Sequence, residues 1–269
     1  MGRLLLECKN VTKSFNGRTF ALNGIDLKVY EGDFLSILGE SGSGKSTLLG
    51  LMGGMDAATS GSVIFQGSDL SALKEKELAA LRRRELGFVF QFFNLAPYLT
   101  VKENILLPLY LDGKNVKKYE DTLDGLMKYL KIDENAGKLP SQLSGGEQQR
   151  VAIARGLIYE PKVIFLDEPT GNLDSKNSEE IMALLKQINE ERGTTIIQVT
   201  HSEHNALYGN RIIRISDGKI VEERTLYRDG VDTGEELTAI VPEEENPVCE
   251  GNTESDSENI ACENSGADN

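Results

Sequence analysis

The sequence predicts an α/β domain with an antiparallel β unit near its beginning and a helical insert in its middle. An apolar run at residues 34–38 leads into a glycine-rich loop and then into apolar residues at helical spacing. A second unbroken apolar run, residues 163–166, ends in two carboxylates. Uninterrupted apolar strands are typical of a parallel sheet covered on both faces. Between these runs, residues 92–143 have helical periodicity and no strand pattern, which predicts the insert.

The elements before the insert follow from alternating apolar residues and from turn residues between them. Strands are predicted at residues 4–11, 21–29, 34–38, 63–65 and 86–90, a helix directly after the loop, and a charged helix at residues 72–84.

The remaining elements alternate between helix and strand, as expected for crossover connections in a parallel sheet. Helices are predicted at residues 101–111, 119–130, from 145 onward and 178–192, buried strands at 163–169 and 194–199, and a closing hairpin at 211–223.

The loop at residues 39–47 has the spacing of a phosphate-binding loop, with Gly39, four residues, then Gly44, Lys45 and Ser46. Its glycines allow backbone N–H groups to surround a phosphate, Lys45 reaches the outer phosphates, and Ser46 offers a hydroxyl to Mg²⁺. A dinucleotide loop is the competing interpretation, but it needs a small third residue where this chain has Thr47. The predicted phosphate-binding residues are Gly39, Glu40, Ser41, Gly42, Ser43, Gly44, Lys45, Ser46 and Thr47.

Two carboxylates, Asp167 and Glu168, follow the buried strand directly. Ligands of α/β sheets lie at the carboxyl ends of the strands, so both are expected beside the loop. Asp167 is suited to Mg²⁺ and Glu168 to polarising an attacking water. His201, after the next buried strand, is placed to donate to a γ-phosphate. A two-histidine metal site with His204 is the weaker alternative, because no third ligand is near in sequence.

A second anion site is predicted where Ser144, Gly145 and Gly146 open a helix, since backbone N–H groups and the helix dipole both favour negative charge there. Phe15, at the end of the first strand, offers a flat face on which adenine could stack. Packing against the sheet is the alternative for Phe15, and helix capping the alternative for Ser144.

The net charge of −14 comes almost entirely from the end of the chain. Thirteen acidic and no basic residues lie at positions 229–269, and the first 228 residues carry 30 acidic against 29 basic side chains. We expect this tail to be disordered, with docking to a basic partner as an alternative. The nearly neutral remainder argues against a nucleic-acid partner, despite the three consecutive arginines at 82–84. Three cysteines at no ligand spacing and no long apolar run favour a soluble cytosolic protein.

Six features of the sequence are, in this order, the loop, Gln91, Leu-Ser-Gly-Gly-Glu at 143–147, Leu-Asp-Glu-Pro at 166–169, Asn-Leu-Asp at 172–174 and Thr-His at 200–201. Together they resemble the nucleotide-binding subunit of an ATP-binding cassette (ABC) transporter. The resemblance covers about residues 3–225. It implies a phosphate-loop ATPase fold, ATP and Mg²⁺ as ligands, and a head-to-tail homodimer on ATP binding.

The resemblance also implies residue roles. Phe15 would stack on adenine. Gln91 would contact Mg²⁺ and water and would couple hydrolysis to transport. The γ-phosphate held by the other subunit would be bound by Ser144, Gly145 and Gly146, and Asp174 would contact that subunit. Ser46, Gln91 and Asp167 would be the metal ligands, and Glu168, His201 and Gln91 the catalytic residues. Phe15, where Tyr is commoner, and Ser202, where Asp often follows the histidine, depart from the family pattern.

Residues 88–95, 99–105 and 168–174 are similar to the ATPases of lipoprotein-release, macrolide-export and antimicrobial-peptide-resistance systems. That resemblance implies a separately encoded integral membrane permease and a location on the cytoplasmic face of the cell membrane. We predict that the permease docks in a groove lined by Gln91 and residues 92–104, where the predicted helix should expose Glu103. A regulatory ATPase that controls a cell-wall hydrolase without transport, and a soluble ATPase without a permease, are the alternatives.

Overall fold

The structure, a computed structural model, describes residues 2–15, 17 and 19–226. The described residues form ten strands and seven α-helices. These are β1 (Leu4–Ser14), β2 (Phe20–Tyr30), β3 (Phe34–Leu38), α1 (Lys45–Met52), β4 (Ser60–Phe65), β5 (Ser68–Asp69), α2 (Glu75–Arg84), β6 (Leu86–Phe90), α3 (Val101–Leu111), α4 (Glu120–Tyr129), α5 (Gly145–Leu157), β7 (Val163–Asp167), α6 (Ser175–Arg192), β8 (Thr195–Val199), α7 (Glu203–Ala206), β9 (Arg211–Ser216) and β10 (Lys219–Thr225).

The larger sheet has the strand order β10-β9-β3-β8-β7-β6. All neighbouring strands in it are parallel except β10, which pairs antiparallel with β9. Successive side chains of β7 enter different cores: Ile164 and Leu166 pack with the helical insert, and Phe165 packs with α1 and the antiparallel sheet. Burial on both faces explains why the central strands are apolar without alternation.

The smaller sheet, with the order β2-β1-β4-β5, is antiparallel throughout and contributes the predicted β unit. Its strand β1 is longer than predicted, since it continues to Ser14, which pairs with Phe20. Irregular register between Cys8 and Ser14 explains the difference, because interrupted pairing breaks the strict alternation on which the prediction relied.

Helices α3 and α4 lie within the predicted insert, and α3 packs mainly against α5. Two helix starts differ from the prediction by three residues, and that of α4 differs by one. Helix α2 begins at Glu75 because residues 70–72 form a separate 3₁₀ turn, capped by Asp69. Helix α6 begins at Ser175, three residues early, because Asp174 caps it by accepting from the backbone N–H of Asn177.

The predicted acidic tail, residues 229–269, lies outside the described residues. Within the described part of the chain, no helix combines the length and hydrophobicity that crossing a bilayer requires.

Candidate nucleotide site

The glycine-rich loop connects β3 to α1 and closes around the side chain of Lys45. The Lys45 Nζ donates to the carbonyl oxygens of Gly39 and Glu40 at 2.8 and 2.7 Å. These bonds hold the ammonium group inside the loop, beside the N-terminus of α1, where the helix dipole adds positive potential. The loop therefore concentrates positive potential at one point, as phosphate binding requires.

The loop has no room for a side chain at Gly44, whereas the space beside Gly42 is open. A β-carbon at Gly44 would lie 2.4 Å from the carbonyl oxygen of Ala21, and one at Gly42 would meet nothing within 4 Å. Both residues have positive φ, 106° and 81°. Ser43 Oγ is buried and has no hydrogen-bond partner in the described part of the chain. The loop is thus a cradle with a free polar group, consistent with a phosphate ligand.

A cavity of about 530 Å³ adjoins the loop. It brings together residues that the sequence analysis assigned separately, and it adds Ala21, which no sequence signal indicated because β2 reaches the site only through the antiparallel sheet. The lining residues are Phe15, Ala21, Ser41, Gly42, Gly44, Lys45, Ser46, Thr47, Gln91, Glu168 and His201.

Asp167 lies beside the loop at the end of β7, where its Oδ1 accepts a hydrogen bond from Ser46 Oγ at 3.0 Å. The sheet register explains the approach. Ile37, Val199, Asp167 and Phe90 are paired across β3, β8, β7 and β6, so the residues that follow these strands, the loop included, emerge at one edge. Two hard oxygen ligands, a hydroxyl and a carboxylate, therefore stand side by side.

Glu168 occupies a constrained turn. Its φ is 48°, in the left-handed region that non-glycine residues seldom adopt. Its backbone N–H donates to Val199 O at 3.1 Å, and its carboxylate lies 3.0 Å from His201 Nδ1. Left-handed residues of this kind persist only where several contacts fix them, and they cluster at functional sites. His204, by contrast, packs edge-to-face on Tyr208 at 5.9 Å.

Gln91 follows β6 and lines the cavity. Its backbone carbonyl accepts from Asn172 Nδ2 at 2.8 Å. Its side chain lies so close to Gly171 that a β-carbon there would be 2.7 Å from Gln91 Nε2. The turn after Glu168 therefore holds Gln91 by its backbone and restricts its side chain.

Phe15 is 70% exposed and forms part of the cavity wall. Lys13 Nζ lies 5.2 Å from the centre of its ring. The ring is therefore not packed into the sheet, which was the alternative to adenine stacking, and one face remains available to a ligand.

Ser144, Gly145 and Gly146 open α5 and do not line the cavity. The Ser144 backbone N–H and hydroxyl both donate to Glu147 Oε2 at 2.8 Å, forming a capping box. These bonds, the backbone one first, lower the pKa of Glu147. The helix N-terminus is thus preformed and lies outside the cavity beside this chain's own loop.

Asp174 also lies outside the cavity. Its carboxylate accepts from the backbone N–H and the side-chain amide of Asn177, at 2.9 and 2.7 Å, and the backbone bond is the main cause of its lowered pKa. Asn177 in turn approaches α5 closely, since a β-carbon at Gly146 would be 2.6 Å from Asn177 Oδ1. Asp174 and the start of α5 therefore occupy one surface.

The segment predicted to dock the permease is only partly on the surface. Phe92 and Tyr98 are 72% and 91% exposed. Asn104 is fully buried, and the prediction that it lines the groove is wrong: its amide bonds to the backbone of Ala96, Leu99 and Thr100 and shapes the loop from inside. Glu103 is exposed, but its carboxylate caps α3 by accepting from Thr100.

A sequence model of the ABC transporter family matches residues 22–171. The chain is 45% identical over 219 residues to the bacitracin export ATP-binding protein BceA of Halalkalibacterium halodurans, covering 80% of this chain and 87% of that protein. It is 46% identical over 221 residues to the lipoprotein-releasing system ATP-binding protein LolD of Aquifex aeolicus, covering 82% of this chain and 98% of that protein.

The fold is similar to the dimeric structure of the ABC transporter cassette MJ0796 of Methanocaldococcus jannaschii, with a TM-score of 0.76 and 43% identity over 83% of this chain and 99% of that one. The same cassette has been solved as a dimer in a post-hydrolysis state with ADP and Pi. The predicted fold class and the predicted family are both confirmed. The chain belongs to the ABC transporter family, as an ATPase.

Proposed function

We propose that this chain binds and hydrolyses Mg²⁺-ATP as a homodimer and that it drives a separately encoded membrane permease. The observation that carries the proposal is the meeting of two strand-end carboxylates with the phosphate loop: Asp167 is bonded to Ser46, and Glu168 to His201. One carboxylate would thus hold a metal ion and the other would polarise a water molecule, at the point where Lys45 would bind a phosphate.

ATP fits the cavity in its chemistry. The backbone N–H groups of the loop and Lys45 would bind the phosphates, and the exposed face of Phe15 would stack on the adenine. On binding, Lys45 would exchange the carbonyl groups of Gly39 and Glu40 for phosphate oxygens, a stronger charge-assisted interaction.

For the metal, Ser46 and Asp167 are the proposed ligands, with Gln91 beside them in the cavity wall. Mg²⁺ bound there would neutralise charge that develops on the phosphate oxygens. Among the described residues, no group of three or more His, Cys, Asp or Glu side chains is arranged to hold a metal ion. Mg²⁺ does not need one, since it commonly takes one or two carboxylates together with waters and substrate phosphates.

Glu168 is the proposed group that polarises the attacking water. His201, whose ring nitrogen lies 3.0 Å from both carboxylate oxygens, would orient that carboxylate and donate to the γ-phosphate from its other nitrogen. The constrained backbone of Glu168 supports this role, since a carboxylate that must act at one position needs little freedom.

The homodimer is supported by what the cavity lacks. The preformed N-terminus at Ser144–Gly146 and the carboxylate of Asp174 lie outside it. In a head-to-tail dimer, these groups of one subunit would cover the nucleotide held in the loop of the other. The cassette MJ0796, 43% identical, forms dimers in two solved structures.

The permease would dock beside Gln91. An apolar groove of about 440 Å³ runs between α2 and α3, lined among others by Met55, Phe90, Leu107 and Leu111. Exposed Phe92 and Tyr98 belong to the loop that follows Gln91. Since BceA and LolD are named for bacitracin export and lipoprotein release, we propose an exporter or lipoprotein-releasing system, with this subunit on the cytoplasmic face of the membrane.

The substitution Glu168→Gln tests the proposal. It keeps the shape of the side chain and removes the charge that polarises water, so hydrolysis is expected to fall about 10²- to 10⁴-fold while ATP affinity is retained. ATP should then hold the variant as a dimer on gel filtration. Hydrolysis at the wild-type rate, or a variant that binds ATP and stays monomeric, would contradict the roles assigned to Glu168 and to the dimer.

A further inference from the structure

A buried amide connects α5 to the turn that presents Glu168. Gln149, one turn into α5, is fully buried, and its Nε2 donates to the carbonyl oxygen of Pro169 at 2.7 Å. Its Oε1 finds no hydrogen-bond partner in the described part of the chain. A buried acceptor without a partner is destabilising, and an apolar side chain of similar size would fill the space without it. Packing alone therefore does not explain this glutamine.

The turn at residues 168–171 has few anchors. The backbone N–H of Glu168 donates to Val199 O, and Thr170 Oγ1 accepts from Asn205 Nδ2 at 2.8 Å. Pro169 has no N–H, so its carbonyl is its sole backbone hydrogen-bonding group, and Gln149 occupies it. The residue next to Glu168 is thus held from α5, while Glu168 itself keeps a left-handed φ of 48°.

The same helix begins at Ser144–Gly146, about 6 Å along the axis from Gln149 at 1.5 Å per residue. One α-helical turn is rigid over that distance, since its backbone is internally hydrogen-bonded. A displacement of the helix start would therefore be carried to Pro169 with little loss.

We propose that Gln149 is a positioning residue for hydrolysis, which holds the turn carrying Glu168 in register with the N-terminus of α5. The inference rests on the roles proposed above for Glu168 and for Ser144–Gly146. When the partner's nucleotide seats against the start of α5, Gln149 carries that position to the catalytic carboxylate of its own subunit. The dimer has two nucleotide sites, each formed by the loop of one subunit and the start of α5 of the other. Hydrolysis at each site then depends on whether the other site is occupied.

The substitution Gln149→Met removes the amide, with its carbonyl acceptor and its N–H donors, and keeps an unbranched side chain of similar length. Because small misplacements of a reacting group are costly, kcat should fall at least about tenfold. The KM for ATP and the affinity for ATP should stay within about twofold, because the phosphate loop is untouched. Gln187→Met, at an exposed position of α6, is the matched control and should hydrolyse ATP at the wild-type rate.

A double-mutant cycle separates positioning from general stability. If Gln149 acts through Glu168, the tenfold loss seen in single-turnover hydrolysis should shrink to less than about twofold in the Glu168→Gln background, because coupled residues are not additive. A role in packing alone would give the same fold loss in both backgrounds, and that result would overturn the inference. So would an unchanged kcat.

Gln149→Asn is the second variant, in case the apolar replacement unfolds the protein. It keeps the amide but is one methylene shorter, so its N–H falls short of the Pro169 carbonyl, and the same loss of kcat is expected. Unfolding of both variants would assign Gln149 to packing and end the proposal. If Glu168→Gln itself retains wild-type hydrolysis, the proposed function fails; if it is inactive while both Gln149 variants hydrolyse normally, this inference alone fails.

Discussion

Gly44 of the phosphate loop lies against Ala21 of β2, so closely that a β-carbon at Gly44 would be 2.4 Å from the Ala21 carbonyl oxygen. The contact joins the loop of the parallel sheet to the antiparallel sheet. Ala21 also lines the cavity. The antiparallel sheet therefore forms one wall of the nucleotide site.

This contact predicts that Gly44→Ala abolishes ATP binding and lowers stability. The new methyl group meets a backbone oxygen that cannot yield, and φ of 106° is unfavourable for alanine, at a cost of about 1–3 kcal/mol. Thermal unfolding and a fluorescent ATP analogue measure the two effects. The control is Gly50→Ala in α1, where a β-carbon meets nothing within 4 Å and helix propensity favours alanine by roughly 1 kcal/mol. A Gly44→Ala protein that binds ATP normally would show that the loop can rearrange.

A second prediction concerns acid stability. Asp112, just after α3, is held by Arg84 and Arg83 of α2 and by the Tyr159 hydroxyl, and the Arg84 hydrogen bond keeps its pKa well below the usual range. A carboxylate with a lowered folded-state pKa stabilises the protein above the unfolded value of about 3.9 and loses that contribution as the pH falls below it. Asp112→Asn should therefore unfold at lower urea concentration than wild type at pH 7.

The difference between the two proteins should narrow at pH 3. It should also narrow in 1 M salt at pH 7, because Arg84 is 48% exposed and its charge is screened. Equal differences at both pH values would mean that Asp112 stabilises the protein through its shape rather than its charge.

A third prediction addresses the permease. Phe92→Ser and Tyr98→Ser should each weaken binding to the permease by more than about 1 kcal/mol, as expected for exposed aromatic residues in an interface, and leave ATP hydrolysis by the isolated subunit unchanged. These positions are better probes than Glu103, since a substitution of Glu103 would also break the capping box that it forms with Thr100 at the start of α3.

Leu207→Ser provides the control, because Leu207 is similarly exposed, at 60%, and lies after α7, outside the segment that follows Gln91. Co-purification in detergent and ATPase activity in nanodiscs measure assembly and coupling. If the two aromatic variants assemble as well as Leu207→Ser, the permease docks elsewhere.

The fourth prediction concerns the acidic end of the chain. Removing residues 229–269, with thirteen acidic and no basic side chains, should leave ATP affinity unchanged and shift the melting temperature by less than about 2 °C, because a segment of this composition is expected to form few contacts with the domain. Calorimetry of both proteins provides the measurement. A loss of several degrees would indicate that part of the tail packs on the domain.

The strands and helices near the site were predictable because each local sequence pattern was compatible with one type of secondary structure. An apolar run such as residues 163–166 can only be buried, and Ser144 three residues before Glu147 is a helix start wherever the helix lies. The starts of α2 and α6 were missed because of local caps at Asp69 and Asp174, whereas the end of β1 was missed because it depends on partners distant in sequence. The end of β1 is set by its pairing with β2 and β4, which the residues of β1 do not encode alone.

The sequence by itself determined the chemistry of this protein. It contains a phosphate loop, two strand-end carboxylates and a capped glycine turn. The hydrogen-bond donors and charges of these groups do not depend on where the fold places them. Only the tertiary structure decided which of these groups meet. The register of β3, β8 and β7 brings Asp167 to Ser46 and Glu168 to His201, whereas Ser144 and Asp174 lie outside the cavity beside the loop. The contact between Gln149 and Pro169 also joins residues 20 apart in sequence. Such pairings depend on how whole elements pack, because hydrogen bonds extend only about 3 Å and no local pattern encodes which distant groups come within that range.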